Sequence, residues 1–221
     1  MLRVHVICEG QTEEMFVNEL LLQPLMVRNV CLLPSKIGRP GHKGGNIKYD
    51  RLLLDIKRRL WNDVNCYCTT LMDYYGLDSD FPGKAEAVLK NGLFEKYLAI
   101  TKALEAQVLR DVGEAGCRFI PYIQMHEFEG LLFSQPDMLA KSLQQPELGG
   151  IFNRIRFEFD SPEEINDNYL TAPSKRIEAV FTTYDKPIHP VLAAKEIGLD
   201  TIRSECSLFN GWIRQLEQIR R

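Results

Sequence analysis

The chain is constrained most by one local pattern that occurs three times: a short apolar run ends in a carboxylate and passes straight into helical sequence. The first copy is LRVHVICEGQTEEMF. Val4, Val6 and Ile7 are β-branched and read as a buried strand, which stops at Glu9-Gly10. Thr12 can cap the helix that follows, with Glu13 and Glu14 in a first turn that tolerates negative charge. The other copies are NCYCTTLMD, residues 65–73, ending in Asp73, and CRFIPYIQM, residues 117–125, ending in His126-Glu127-Phe128-Glu129 and the helix start EFEGLLF. A further strand falls at 30–33. Helices are predicted at 13–22, stopping before Pro24, at 49–62, and over much of 84–112 with a break at Asn91-Gly92. Strands alternating with helices predict an α/β fold with a mostly parallel four-stranded sheet flanked by helices. Pro121 assigns the fourth strand to an edge or a bulge.

In a parallel sheet the carboxyl ends of the strands meet along one edge, where open α/β sheets bind ligands. Glu9, Asp73 and the Glu127/Glu129 pair would converge there. Carboxylates brought together repel and raise one another's pKa values, a cost that a hard divalent cation removes. The expected ligands of Mg²⁺ or Mn²⁺ are Glu9, Asp73 and Glu127, with Glu13 and Glu129 supporting. Such an ion activates water and stabilises charge on a phosphodiester. A lysine, Lys175 or Lys186, would neutralise developing charge. The plainer reading is that acids at strand ends are loop formers and that Glu13 and Glu14 are simply solvated. One such residue means little, but three sets at one edge favour a site. His126 reads equally as an orienting group or a core residue. No HExxH or GxSxG pattern is present, which argues against zinc hydrolysis and a serine elbow.

Segment 34–46, PSKIGRPGHKGGN, is the irregular stretch. Its glycines and charges suit a plain surface loop, or one whose amides and cations meet phosphates. The second reading is favoured because basic residues continue into the next helix, so Arg39, His42, Lys43 and Lys48 would track a nucleic-acid backbone. The Lys-Ser/Thr ending of a nucleotide P-loop is absent. Tyr74 and Tyr75 would stack on bases or simply pack, and Asp78 and Asp80 sit in a turn-rich stretch.

With 221 residues, 45% of them hydrophobic, one domain over 1–221 is the default: an α/β core at 1–133 and a helical C-terminal region at 134–221. Short helices are predicted there at 136–145, 161–167, 173–182, 190–197 and 208–220. No run reaches the ~18 apolar residues of a membrane span, and the first residues enter a strand without a signal-peptide pattern. The six cysteines form no disulfide or zinc framework. These features predict a cytoplasmic protein without membrane contact. A net charge of −3 and a pI near 5.9 exclude coating of nucleic acid by bulk charge and leave room for a local basic patch.

The strand ending in Glu9-Gly10 and the acidic strand end at Asp73 resemble a Toprim-type domain. ICEGQTEE, MDYYGLDSDFPGKAEA, PYIQMHEFEGLLFS and APSKRIEAVF–TTYDKPIH together resemble the Toprim-like family of domain-of-unknown-function 4276. The resemblance implies a Toprim-like, Rossmann-like fold. It also implies kinship with the Mg²⁺- or Mn²⁺-dependent, DNA-cutting Toprim domains of overcoming-lysogenisation-defect nucleases, with Glu13 matching their second acid. Family members often occur beside an ATPase, implying a role in defence against phage or plasmids. The implied function is a metal-dependent nuclease acting on DNA ahead of RNA with a separate ATPase, a homo-oligomer being possible. The Toprim Asp-x-Asp is not reproduced after the third strand: Asp78 and Asp80 have its spacing but come later, and Glu127 and Glu129 are candidates for the missing ligand. The alternative is a non-catalytic sensor or effector subunit with a degenerate metal site.

Overall fold

The structure, a computed structural model, describes residues 1–38, 46–166 and 169–219. In chain order the strands and α-helices are β1 (Leu2–Cys8), α1 (Gln11–Phe16), α2 (Leu22–Val27), β2 (Val30–Lys36), α3 (Tyr49–Asn62), β3 (Cys66–Leu71), α4 (Lys84–Val88), α5 (Leu93–Val112) and β4 (Phe119–Ile120), followed by α6 (Pro136–Ser142), α7 (Gly149–Phe157), α8 (Pro173–Glu178), α9 (His189–Ile197), α10 (Leu199–Glu205) and α11 (Ser207–Glu217). The sheet has the order β2-β1-β3-β4, and all its pairings are parallel. This is the expected α/β architecture: a four-stranded parallel sheet flanked by helices, with a helical C-terminal region.

The pleat of β1 explains its two-sided burial. Val4, Val6 and Cys8 enter a core shared with Phe16, Phe128, Phe209 and Trp212. Ile7 enters the opposite core with Leu52, Ile56, Ile100 and Leu104. Alternate residues of a strand point to opposite faces, so a central strand reads apolar throughout. The C-terminal helices close the first core. Trp212 of α11 stacks on Tyr122 with centroids 4.5 Å apart, and its Nε1 donates to Thr69 Oγ1 at 2.8 Å.

Several boundaries differ from the sequence expectation. The first helix does not stop before Pro24. A π-type segment, Val17–Leu21, leads into α2, so Pro24 falls in the first turn of a new α-segment, where a missing N–H costs little. The N-cap of α1 is Gly10 rather than Thr12. β2 runs on to Lys36 through Pro34, which an edge strand tolerates. β4 keeps only two residues, because Pro121 interrupts it. Thr70 bridges the gap, its hydroxyl donating to Tyr122 O at 2.7 Å and accepting from Tyr122 N at 3.1 Å. Pairing then resumes at Asp73 and Gln124. The helix expected at EFEGLLF is a 3₁₀ helix, Phe128–Ser134, and the one expected over 161–167 is a single 3₁₀ turn, Pro162–Glu164. α7 and α10 were not expected.

Candidate functional site

Parallel pairing carries Glu9 and Asp73 to the same sheet edge, and they touch there. The amide of Asp73 donates to Glu9 Oε2 at 3.0 Å. Gly76 lies against the same carboxylate so closely that a Cβ would sit 2.5 Å from both oxygens. Burial pushes the Glu9 carboxyl up, the Asp73 amide and Lys186 oppose this, and the charges of Glu127 and Glu129 add to it. Asp73 Oδ1 is sealed from solvent and has no hydrogen-bond partner among the described residues. Its carboxyl stands well above the usual range, through burial first and then the charges of Glu9, Glu13, Glu129 and Glu127.

Glu13 is buried in the first turn of α1. Its Oε2 accepts the Gly10 amide at 2.8 Å, and burial lifts its pKa to about 7, with the Glu9 charge adding. Glu127 Oε2 accepts the Ser174 amide of α8 at 2.9 Å. The preceding His126 is held at φ 65°, the left-handed region that is uncommon outside glycine although histidine enters it more often than most residues, and its ring lies 5.9 Å from that of Tyr75. Glu129 is buried, and burial raises its pKa to about 7. Lys186 Nζ stands 3.4 Å from Glu129 Oε1. Burial pulls the Lys186 ammonium down, but Glu129, Glu127 and Asp73 more than offset that and leave it above the usual lysine value.

The segment carrying Lys186 is tied down. Thr12 Oγ1 donates to Lys186 O at 2.9 Å. Asp185 N donates to His189 Nδ1 at 2.7 Å, and Tyr184 stacks on the His189 ring. The Tyr184 phenol is pushed well up by burial and then by Glu129, Glu127 and Glu178.

The structure therefore gathers Glu9, Glu13, Asp73, Glu127, Glu129 and Lys186 into one electrostatic neighbourhood. Lys175 pairs with Glu178 of its own helix at 2.6 Å. Lys48 is exposed at the N-cap of α3. The expectations for Arg39, His42 and Lys43 lie outside the described residues. Of the basic residues of α3, Arg51 donates to Ile37 O and Arg59 binds Asp55 and Ser35, so both brace the fold.

The donor set suits a hard cation: carboxylate oxygens, one of them buried and unpartnered. The spacing is wider than a filled coordination shell. Among the described residues no three of these acids place an oxygen each within 4.8 Å of one another, whereas Mg²⁺ holds oxygens at about 2.0–2.1 Å. That 4.8 Å spacing does occur at His5, Asp63 and Cys66. There, however, Asp63 already accepts from Arg3 and from the Asn65 amide, and the Cys66 thiol donates to backbone carbonyls. Those ligand atoms are committed to holding the loop before β3.

The model of the family described as "Domain of unknown function (DUF4276)" matches residues 8–217. The chain belongs to the DUF4276 family. The matched span contains every carboxylate of the site and Lys186. No curated protein matches the chain. Among solved structures, the C-terminal region of the Xanthomonas campestris pv. campestris OLD protein is similar at 15% identity and a TM-score of 0.43, over 97% of this chain and 93% of that one.

Sequence reasoning missed three residues of this DUF4276 site. Gly76 backs Glu9 and Thr12 tethers the Lys186 segment. Ser174 supplies an amide to Glu127 and keeps a buried hydroxyl that has no partner among the described residues. A glycine soon after an acidic strand end is the one signal, and it points only to Gly76.

Proposed function

We propose that this DUF4276 chain is a divalent-metal-dependent nuclease. The observation that supports it is the Asp73 carboxylate: buried, with an oxygen unpartnered among the described residues, and surrounded by four more acids. A site of this kind is costly unless a cation is bound. Glu9, Asp73 and Glu127 would hold Mg²⁺ or Mn²⁺, which when bound would polarise a phosphodiester and acidify water. Glu13 and Glu129, both raised to about 7, are suited to take or give a proton near neutrality. Lys186 would face the charge on the phosphate oxygens. Lys48 and the basic residues Arg39, His42 and Lys43 would follow the backbone of the nucleic acid. A separate ATPase partner, a defence role, and DNA ahead of RNA rest on the family resemblance, and no P-loop motif occurs in the chain itself. The test is plasmid nicking with Mn²⁺ by purified protein. Activity should appear in the wild type and vanish in Glu9→Ala; nicking that survives that change counts against the reading.

A second reading has its own observation, the wide spacing of the acids together with the missing Asp-x-Asp. It is a non-catalytic subunit with a degenerate site, held by an ATPase. Absence of Mn²⁺ from a soaked crystal, with co-purification of a partner, favours it.

A further inference from the structure

A cluster of buried acids is relieved by protonation or by a positive charge near it, and the chain carries such a charge of its own. Lys186 Nζ is 3.4 Å from Glu129 Oε1, and its charge also acts on Glu9 and Glu13 while those of Glu127 and Asp73 act on it. Its position is built rather than incidental: Thr12 anchors its carbonyl to α1, the helix that bears Glu13, and the Tyr184–His189 stack braces the segment behind it. The two partners are unlike in freedom. The Glu129 side chain is 4% exposed and the Lys186 side chain 48%, so the acid is fixed and the ammonium has solvent to move into. The contact is longer than a tight charge-assisted hydrogen bond of about 2.7–2.9 Å. Lysine also carries its charge as a point on a flexible stem and releases a partner more readily than a forked arginine.

We propose that the Lys186 ammonium is the resident counter-ion of this acidic edge: it holds Glu129 and its neighbours in the cation-free protein and competes with a divalent cation for them. The inference rests on the metal-site reading above and goes beyond it, because it assigns Lys186 a role before any substrate arrives. Cation entry then displaces the ammonium toward solvent, where it faces an incoming phosphate.

The test is Mn²⁺ binding by titration calorimetry to the full chain, with no nucleic acid present. Lys186→Met should bind Mn²⁺ about tenfold more tightly than wild type, as expected when one like charge is removed across a few Å of partly screened surroundings. Lys186→Arg, which keeps the charge, should stay near wild type. In EDTA, Lys186→Met should unfold at a lower temperature than wild type, and Mn²⁺ should close the gap. A merely structural lysine would reproduce the lower unfolding temperature but not the tighter binding. Unchanged or weaker Mn²⁺ binding by Lys186→Met that remains folded by circular dichroism overturns this proposal alone. Failure of wild type and variant alike to bind Mn²⁺ overturns the metal reading, and this one with it.

Discussion

Asp73 hands its backbone amide to the Glu9 carboxylate at 3.0 Å while its own Oδ1 is buried without a partner among the described residues. One residue thus fixes the first acid of the site by its main chain and contributes the second by its side chain. Two neighbouring parallel strands are latched at their carboxyl ends by this contact, and the other acids are grouped around it.

Gly76 also packs against the Glu9 carboxylate. Its substitution by alanine places a methyl group 2.5 Å from both carboxylate oxygens. The obstructed atoms are the end of a flexible side chain, so the fold should lose no more than about 1 kcal/mol. The carboxylate must swing away from Asp73, and Mn²⁺ affinity should fall about tenfold to a hundredfold, as when support for a ligand is removed. Calorimetry for the ion and thermal unfolding for the fold, run on Gly76→Ala, separate the two effects. A large loss of stability with intact Mn²⁺ binding contradicts the placement of Glu9.

Asp73→Asn keeps the shape and removes the charge. The raised carboxyl of Asp73 means that the folded protein binds its proton more tightly than the unfolded chain. Stability from this group is therefore full below the unfolded carboxyl pKa and is lost as pH rises. Asparagine does not titrate. The variant should match wild type in acid and become more stable by roughly 1–2 kcal/mol at pH 8 in EDTA, a trade seen where function holds a strained group. Stabilisation by Mn²⁺ should disappear with the charge. Melting curves across pH 5–8 with EDTA and with Mn²⁺ check both halves.

Glu163 offers a pH effect away from the acid edge. Its two oxygens accept the amides of Leu208 and Phe209 at 2.9 Å each, capping α11. Burial nonetheless raises its pKa to about 7, from 4.5, against those two amides. The sign follows as for Asp73: this group's contribution falls as pH rises from about 4.5 through about 7, by roughly 3 kcal/mol at most. The stability advantage of wild type over Glu163→Gln should shrink between pH 5 and pH 8. An advantage that grows with pH would mean that the two amides outweigh burial.

The sheet and its order of strands and helices were legible because periodicity and β-branching act locally. Glu9, Asp73, Glu127 and Glu129 were legible as neighbours because parallel topology sends strand ends to one side. What remained hidden depends on contacts distant in sequence. Nothing in QTEE marks Thr12 as the anchor of a segment 174 residues away, and its local signal, a helix cap, pointed elsewhere. The different pairings of Lys175 and Lys186 were equally closed, since they turn on Glu178 lying one helical turn from the first and Glu129 lying opposite the second. The shortened β4 was half legible: Pro121 announced the break, but the Thr70 hydroxyl that spans it carried no signal.

The same long-range logic predicts how the C-terminal helices are held. Trp212 Nε1 donates to Thr69 Oγ1 at 2.8 Å, and Thr69 Oγ1 donates to Ile120 O at 2.6 Å, so one hydroxyl joins α11, β3 and β4 inside the core. Thr69→Val preserves volume and strands the indole N–H in an apolar interior. Leaving a buried donor unmatched costs about 1–3 kcal/mol, which for a chain of this length corresponds to a drop in melting temperature of roughly 2–4 °C per kcal/mol. Thr69→Ser keeps the hydroxyl and should lose less. The double variant Thr69→Val with Trp212→Phe removes donor and acceptor together, so its cost should fall below the sum of the two single changes. Additive losses would show that the helix is held by the Tyr122 stack rather than by this hydrogen bond.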